Sequence, residues 1–322
     1  MLKRKVIVVA ERIKSHDPSH AEEWTLEYLE DSYYNELICG LKQGGFFIEH
    51  FESPRELVER LRVDGEVVVL PLWSGKESRN RRALVPAICE SFGVKFVGAD
   101  VYTAMVCQDK VLAKTFCSRA GLATPRHVLV PEHREPADFS PVRFPCVVKP
   151  SLEGGSMGIT DDCIVSNKNE ALEKANLLRS IWKQPILVEE FVAGREISIC
   201  VAGNDTVQIT GAAEVIVAGS PEYFNNNVNS VDLKKYMKID RVNVKCAAEE
   251  IAPFTDSCIE LFRSLKKVDF IRIDGKLSTE GFIVLELTPD AHMGSTSSLA
   301  VSLTSDRRSY PELLRFIIDA AT

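Results

Sequence analysis

The chain has 322 residues, 45% of them apolar and 26% charged, with a net charge of −7. That length exceeds one ordinary core and predicts two or three domains. The acidic balance argues against nucleic acid as a standing partner, because phosphate contacts need a basic surface, and no apolar run reaches membrane-spanning length. In chain order, KVIVVA (5–10) reads as a buried parallel strand. The basic start before it carries too short an apolar stretch for a signal peptide. Asp17-Pro18 reads as a helix N-cap with proline in the first turn. Leu26, Leu29, Tyr33, Leu37 and Leu41 recur at helical spacing up to Gly44-Gly45. FFIEHF (46–51) is a second strand, SPRELVERLR a short helix, EVVVLPLW (66–73) a third strand, and a helix near 80–92 precedes VKFVGA. This alternation predicts an open, mostly parallel sheet, with ligand-bearing loops at 10–15 and 73–78. Walker A and GxGxxG spacings are absent. His16 and His20 are four apart, but Pro18 between them favours an exposed capping segment over a metal pair.

The next unit comprises a helix over 103–120 carrying Lys110, the strand RHVLV, a proline-flanked surface loop (131–141) and FPCVVKPSLEGGSMGI (144–159). In the last stretch an apolar strand delivers Lys149 at its end, and Pro150 stops it. The loop holding Glu153, Gly154, Gly155 and Ser156 can turn backbone N–H groups towards an anion. That is a phosphate grip, although a hairpin turn with a solvated lysine fits this stretch alone equally well. ILVEEFVAGREISICVAG (186–203) reads as strand, turn and strand, with Glu189, Glu190 and Glu196 facing solvent by default. Residues 219–240 are polar and asparagine-rich, and read as a long mobile loop of the kind that forms lids.

FIRIDGKLSTEGFIVLELT (270–288) is two strands. Alternation puts Arg272 and Asp274 on one face and Ile271 and Ile273 on the other, with Ile283, Leu285 and Leu287 in a core. A three-residue loop ending in Gly281 sets Asp274 opposite Glu286 and Arg272 opposite Thr288. Opposed carboxylates repel by about 0.2–1 kcal/mol even on a solvated sheet. A divalent cation would remove that repulsion. Salt bridges from Arg272 and Lys276 are the plainer alternative. The nine scattered cysteines, with no CxxC pair, read as reduced core thiols and predict a cytoplasmic protein.

Four blocks, FVGADVYTAMVCQDKVLAK, FPCVVKPSLEGGSMGI, ILVEEFVAGREISI and FIRIDGKL…IVLELTPDAHMGSTSSL, stand in the order seen in ATP-grasp enzymes. The chain resembles their D-alanine–D-alanine ligase branch, weakly before residue 66 and well beyond it. The resemblance implies an α/β ATP-grasp fold: an N-terminal open parallel sheet (1–101), a central lid subdomain (102–188) and a C-terminal subdomain (189–322), the last two sandwiching ATP. It implies ATP with Mg²⁺ or Mn²⁺ as cofactors and small-molecule carboxylate and amine substrates, with no nucleic-acid or membrane partner and a homodimer left open. By motif, Lys110 and Lys149 would hold phosphates beneath the 153–158 loop. Glu189 and Val192 would flank adenine, Glu190 would belong to the ATP site, Glu196 would hold the ribose, Asp274 and Glu286 would bind the metal, and catalytic Arg272 would stabilise the transferring phosphoryl group. Ser298 and Leu299 match the pair that receives the acceptor's carboxylate. Thr288 replaces the usual asparagine, which puts a second metal ion in question. Trp73 replaces a histidine, Gly155 a serine, and the N-terminal glycine-serine-glutamate signature has no counterpart. Lys234, Lys235 and Tyr236 are candidates for the family's mobile-loop pair. The implied activity is an ATP-dependent carboxylate–amine ligase, working through an acyl phosphate, that does not make D-alanyl-D-alanine. A lapsed ATP-binding protein and an ATP-grasp phosphotransferase are the alternatives.

Overall fold

The computed structural model describes residues 4–13, 27–62, 67–75, 78–132, 137–203, 207–235 and 240–321. Its first layer contains β1 (Lys5–Val9), β2 (Arg12–Ile13), β3 (Leu29–Glu30), α1 (Asp31–Gln43), β4 (Phe47–Phe51), α2 (Pro54–Leu61), β5 (Val67–Pro71), α3 (Leu84–Phe92) and β6 (Lys95–Phe96). The parallel order β4-β1-β5-β6 places the continuously apolar β1 in the interior. Val6 and Val8 enter the core shared with α1, and Ile7 and Val9 the core under α2 and α3. A strand buried on both faces needs no polar alternation, which is why its sequence shows none. The predicted first helix starts later than its apolar spacing suggests: Leu29 pairs in β3, and the helix begins at Asp31. Leu26, the proposed cap Asp17-Pro18, His16 and His20 lie outside the described residues.

The predicted helix over 103–120 is two helices, α4 (Val101–Gln108) and α5 (Lys110–Arg119). Asp109 between them is extended, and its carboxylate caps α5 by accepting from the N–H groups of Val111 and Leu112. The apolar face of both helices packs with Ile197, Ile199, Ile271 and Ile273. A second sheet, order β7-β10-β8-β9, is antiparallel and backed by α6 (Lys168–Trp182). Its strands are β7 (His127–Val130), β8 (Cys146–Pro150), β9 (Ile164–Val165) and β10 (Ile186–Glu190). The third sheet, order β13-β12-β11-β14-β15, uses β11 (Arg195–Gly203), β12 (Val207–Val217), β13 (Arg241–Lys245), β14 (Phe270–Ser278) and β15 (Gly281–Thr288). The strands on either side of Ala193-Gly194 belong to different sheets, so the predicted turn joins the two sheets.

Residues 219–235 are packed where the sequence predicts a long mobile loop. They hold a short 3-10 turn and α7 (Val231–Lys235), and Phe224 and Leu233 are each 1% exposed. The Val231 N–H donates to Ile159 O at 2.8 Å, and the Asp161 N–H to Asp232 Oδ2 at 3.0 Å, tying this segment to the glycine-rich loop. After α8 (Ala248–Ser264) and β15 come α9 (Ser298–Leu303) and α10 (Tyr310–Ala320). The last returns to pack beside α1. No described cysteine forms a disulfide; most are buried, whereas Cys39 is exposed and departs from the core-thiol reading. Among the described residues no helix is long and apolar enough to cross a membrane.

Asp274 does stand opposite Glu286, and Arg272 opposite Thr288. The route differs from the one predicted. Ser278 pairs with Gly281, so the loop is two residues, and a bulge between Asp274 and Gly275 absorbs one extra residue of β15. The bulge changes the alternation. Phe282, Val284 and Leu287 are buried, Ile283 and Leu285 only half-buried, and Leu285 faces a cleft. Gly275 marks the tight point, since a Cβ there would lie 2.4 Å from the Ile283 carbonyl oxygen. Gly275→Ala is therefore expected to cost about 1–3 kcal/mol, read as a lower denaturation midpoint.

Candidate active site

A cavity of about 350 Å³ lies between the second and third sheets. The apolar strand β8 carries Lys149 into it at 5% exposure, where the Lys149 ammonium pairs with Glu189 on the neighbouring β10. Lys114 pairs with the same carboxylate at 2.8 Å. Burial alone would raise Glu189, but the two lysines outweigh it and hold its carboxyl well below the ordinary range. Glu189 is thus an interior ion partner, not the solvent-facing residue of the default reading. Lys114 escaped the sequence reading although the signal was present: it lies four residues after Lys110, on the same helix face.

Lys110 opens α5 and joins the phosphate loop to the carboxylate ladder. Its ammonium donates to the Glu153 carbonyl and stands 3.1 Å from Glu286. Burial would raise Glu286 too, but Lys110, Lys149 and Arg272 hold it ionised. Asp274 accepts from Arg272 Nε at 2.7 Å, Ser198 Oγ at 2.6 Å and Thr288 Oγ1 at 2.9 Å. The plainer sequence alternative was half right. Arg272 does neutralise the pair, but its second cation is Lys110, because Lys276 is spent on Glu196 at 3.1 Å. Glu190 and Val192 line the same cavity, and Glu190 accepts the Arg143 N–H.

Among the described residues no cluster of three or more His, Cys, Asp or Glu could hold a metal ion. The ladder instead offers two opposed carboxylates in a cavity rich in cations. That set suits a Mg²⁺ whose remaining ligands are phosphate oxygens and water, and does not suit a metal bound by protein alone. Thr288 orients Asp274, so its hydroxyl proton is already committed.

A second cavity, about 220 Å³, opens at the C-terminal ends of β5 and β6. Trp73 and Gly155 both line it, as their sequence positions imply. Gly155 has φ +63°, and a Cβ there would meet Glu27 at 3.1 Å. Glu27, Arg81, Arg82 and Asp290 escaped the sequence reading because they lie far apart in the chain. Arg82 pairs with both Glu27 and Asp290, and Arg81 donates to Glu153 at 2.7 Å, pinning the glycine-rich loop. His292 stacks on Tyr33 and is pushed down to about 4 by burial and by Arg272, so its imidazole is neutral. Arg272, Glu286, Glu153 and Gly155 line both cavities and mark where they meet. Ser298 reaches the larger cavity, but the Leu299 side chain is in the core, leaving only its backbone to serve a ligand. Lys234 and Lys235 close α7, and Tyr236 lies outside the described residues.

A parallel sheet followed by two antiparallel sheets that enclose a lysine-lined cleft is the ATP-grasp fold. The D-alanine–D-alanine ligase from Bacillus anthracis complexed with ATP shares it, with a TM-score of 0.73 at 19% identity, over 99% of this chain and 97% of that one. The chain belongs to the family described as D-ala D-ala ligase C-terminus, whose model matches residues 117–319. It is 26% identical to an uncharacterized protein, y4sG, of Sinorhizobium fredii over 91% of this chain and 84% of that protein. It is also 26% identical to a D-alanine–D-alanine ligase of Bacillus velezensis over 68% of this chain, a match spanning 61% of that ligase.

Breaking the buried triad should be costly. Glu189→Gln strands two lysines and is expected to destabilise the chain by about 3–5 kcal/mol in chemical denaturation. Because the folded pKa of Glu189 lies below its ordinary 4.5, the triad's stabilisation is complete above that pH. It should fall away as the pH drops towards about 2, and this acid-sensitive component should be missing from the variant.

Proposed function

We propose that the chain is an ATP-dependent carboxylate–amine ligase whose acyl donor is not D-alanine. The observation that carries this reading is the meeting of the two cavities at Arg272 and Glu286. A nucleotide in the larger cavity would bring its terminal phosphate to the point where a carboxylate in the smaller one can attack it. Lys110 and Lys149 would hold the phosphates, exchanging their carboxylate partners for phosphate oxygens. Arg272 would neutralise charge developing on the transferring group, and placement would do the rest, since phosphoryl transfer demands positioning and electrostatics more than a protein nucleophile. The donor emerges as an acyl phosphate; the acceptor amine adds to its carbonyl, phosphate leaves, and the amine's proton goes to solvent or phosphate. Asp274 and Glu286 would hold Mg²⁺, which supplies neutralisation of phosphate charge. The packed 219–235 segment would exclude water from the acyl phosphate.

Glu286→Gln is expected to lower ATP turnover about 10²-fold or more with the circular dichroism spectrum unchanged, and excess chelator should stop the wild-type enzyme. Activity surviving both treatments would exclude the ladder from the chemistry. The donor pocket yields a separate expectation. Trp73 places a large aromatic where the ligases have a polar imidazole, so D-alanine with Mg²⁺ and ATP should give little dipeptide. Mixed donor panels, read by product mass, should favour a bulkier donor, and Trp73→Ala should erase that preference. Efficient D-alanyl-D-alanine synthesis would refute the pocket argument.

A further inference from the structure

Among the described residues, five basic side chains line the larger cavity. Lys110, Lys149, Arg272 and Lys276 each have a carboxylate partner. Arg241, at the exposed mouth, has none within ion-pair distance among the described residues. Its hydrogen-bond partner is neutral: Arg241 Nη1 donates to Asn229 Oδ1 at 3.1 Å, which holds the guanidinium at the cavity wall, and the carboxylate charge acting on it, Glu196, is already paired with Lys276. An arginine held by an amide and facing a cavity is suited to an oxyanion.

The neighbouring residues indicate which oxyanion. Arg241 and Asn243 lie two apart on β13, share its cavity face and are about 7 Å apart along the strand. Asn243 Nδ2 donates to the Thr296 carbonyl at 2.8 Å. A carbonyl only accepts, so the other end of that amide is its oxygen. Asn243 Oδ1 therefore takes the Ser298 hydroxyl proton at 2.7 Å. The Ser298 hydroxyl is left with lone pairs alone, so a carboxylate approaching it would meet only the backbone N–H groups at the start of α9. A cation must come from elsewhere, and among the described residues Arg241 is the one on the same wall without an ion pair. Phosphate oxygens, by contrast, already have Lys110 and Lys149.

We infer that Arg241 is the specificity residue for the acceptor, its guanidinium receiving the acceptor's carboxylate beside Ser298. This rests on the ligase reading above. The test uses Arg241→Gln and Arg241→Lys, with glycine, D-alanine and L-alanine as acceptors, each also as its carboxamide, and the donor found by product mass. The acceptor KM should rise about ten- to hundredfold in Arg241→Gln, the size of one lost hydrogen bond to a charged group. The ATP KM should stay within about twofold, because the phosphates keep both lysines. Arg241→Lys should fall between, keeping charge without the fork. Carboxamide acceptors should be used equally by wild type and variants. An unchanged acceptor KM, a rise confined to ATP, or equal losses for acids and carboxamides would overturn the assignment. If the wild type forms no amide with any probe, the ligase reading fails instead. The same probes are then titrated onto ATP-loaded protein by thermal shift. A preference for acid over carboxamide that Arg241→Gln abolishes would uphold Arg241 as a carboxylate receptor, and its absence would overturn it.

Discussion

Two carboxylates facing each other across an antiparallel ladder repel, and the cleft is arranged around that repulsion. Asp274 and Glu286 cannot both stay ionised on one sheet face unless cations stand beside them. Arg272 takes the first and Lys110 the second. The second cation must come from another part of the chain, since Lys276, the other cation of β14 on that face, is taken by Glu196. Lys110 therefore reaches in from the start of α5, and in doing so also grips the Glu153 carbonyl of the glycine-rich loop. One electrostatic requirement thus fixes the helix, the loop and the sheet relative to one another.

The same arrangement explains how the cleft can be both charged and stable. Each lysine that would serve a phosphate has a protein carboxylate as a stand-in: Glu189 for Lys149, Glu286 for Lys110. An incoming polyanion competes for cations already in position, so the rearrangement is local and small. Arg241 differs in being hydrogen-bonded to an amide and in no ion pair among the described residues, so an anion there need not first displace a bonded carboxylate.

Much of this was legible beforehand because it depends on local chemistry. The buried strands, the placement of Lys149 at a strand end, the opposed pair Asp274 and Glu286 and the family itself all follow from short stretches whose residue types restrict what they can do. Two of the misses show why some of it was not. Phase errors came from the β-bulge at Leu285, which shifts alternation without any proline or unusual glycine run to announce it. Over 219–235 the loop reading missed the packing because polar composition hides a few buried anchors, Phe224 and Leu233 among them.

What the sequence determined by itself was the set of elements and the chemistry each could offer, since backbone propensity, alternation and charge are read over a few residues. The tertiary structure alone decided which distant charges meet. Glu27, Arg82 and Asp290 share one cavity, Lys114 shares Glu189 with Lys149, and Asn243 claims the Ser298 proton. No local pattern encodes these contacts, because the energy of a buried charge or hydroxyl depends on partners that only the folded chain brings within a few ångströms.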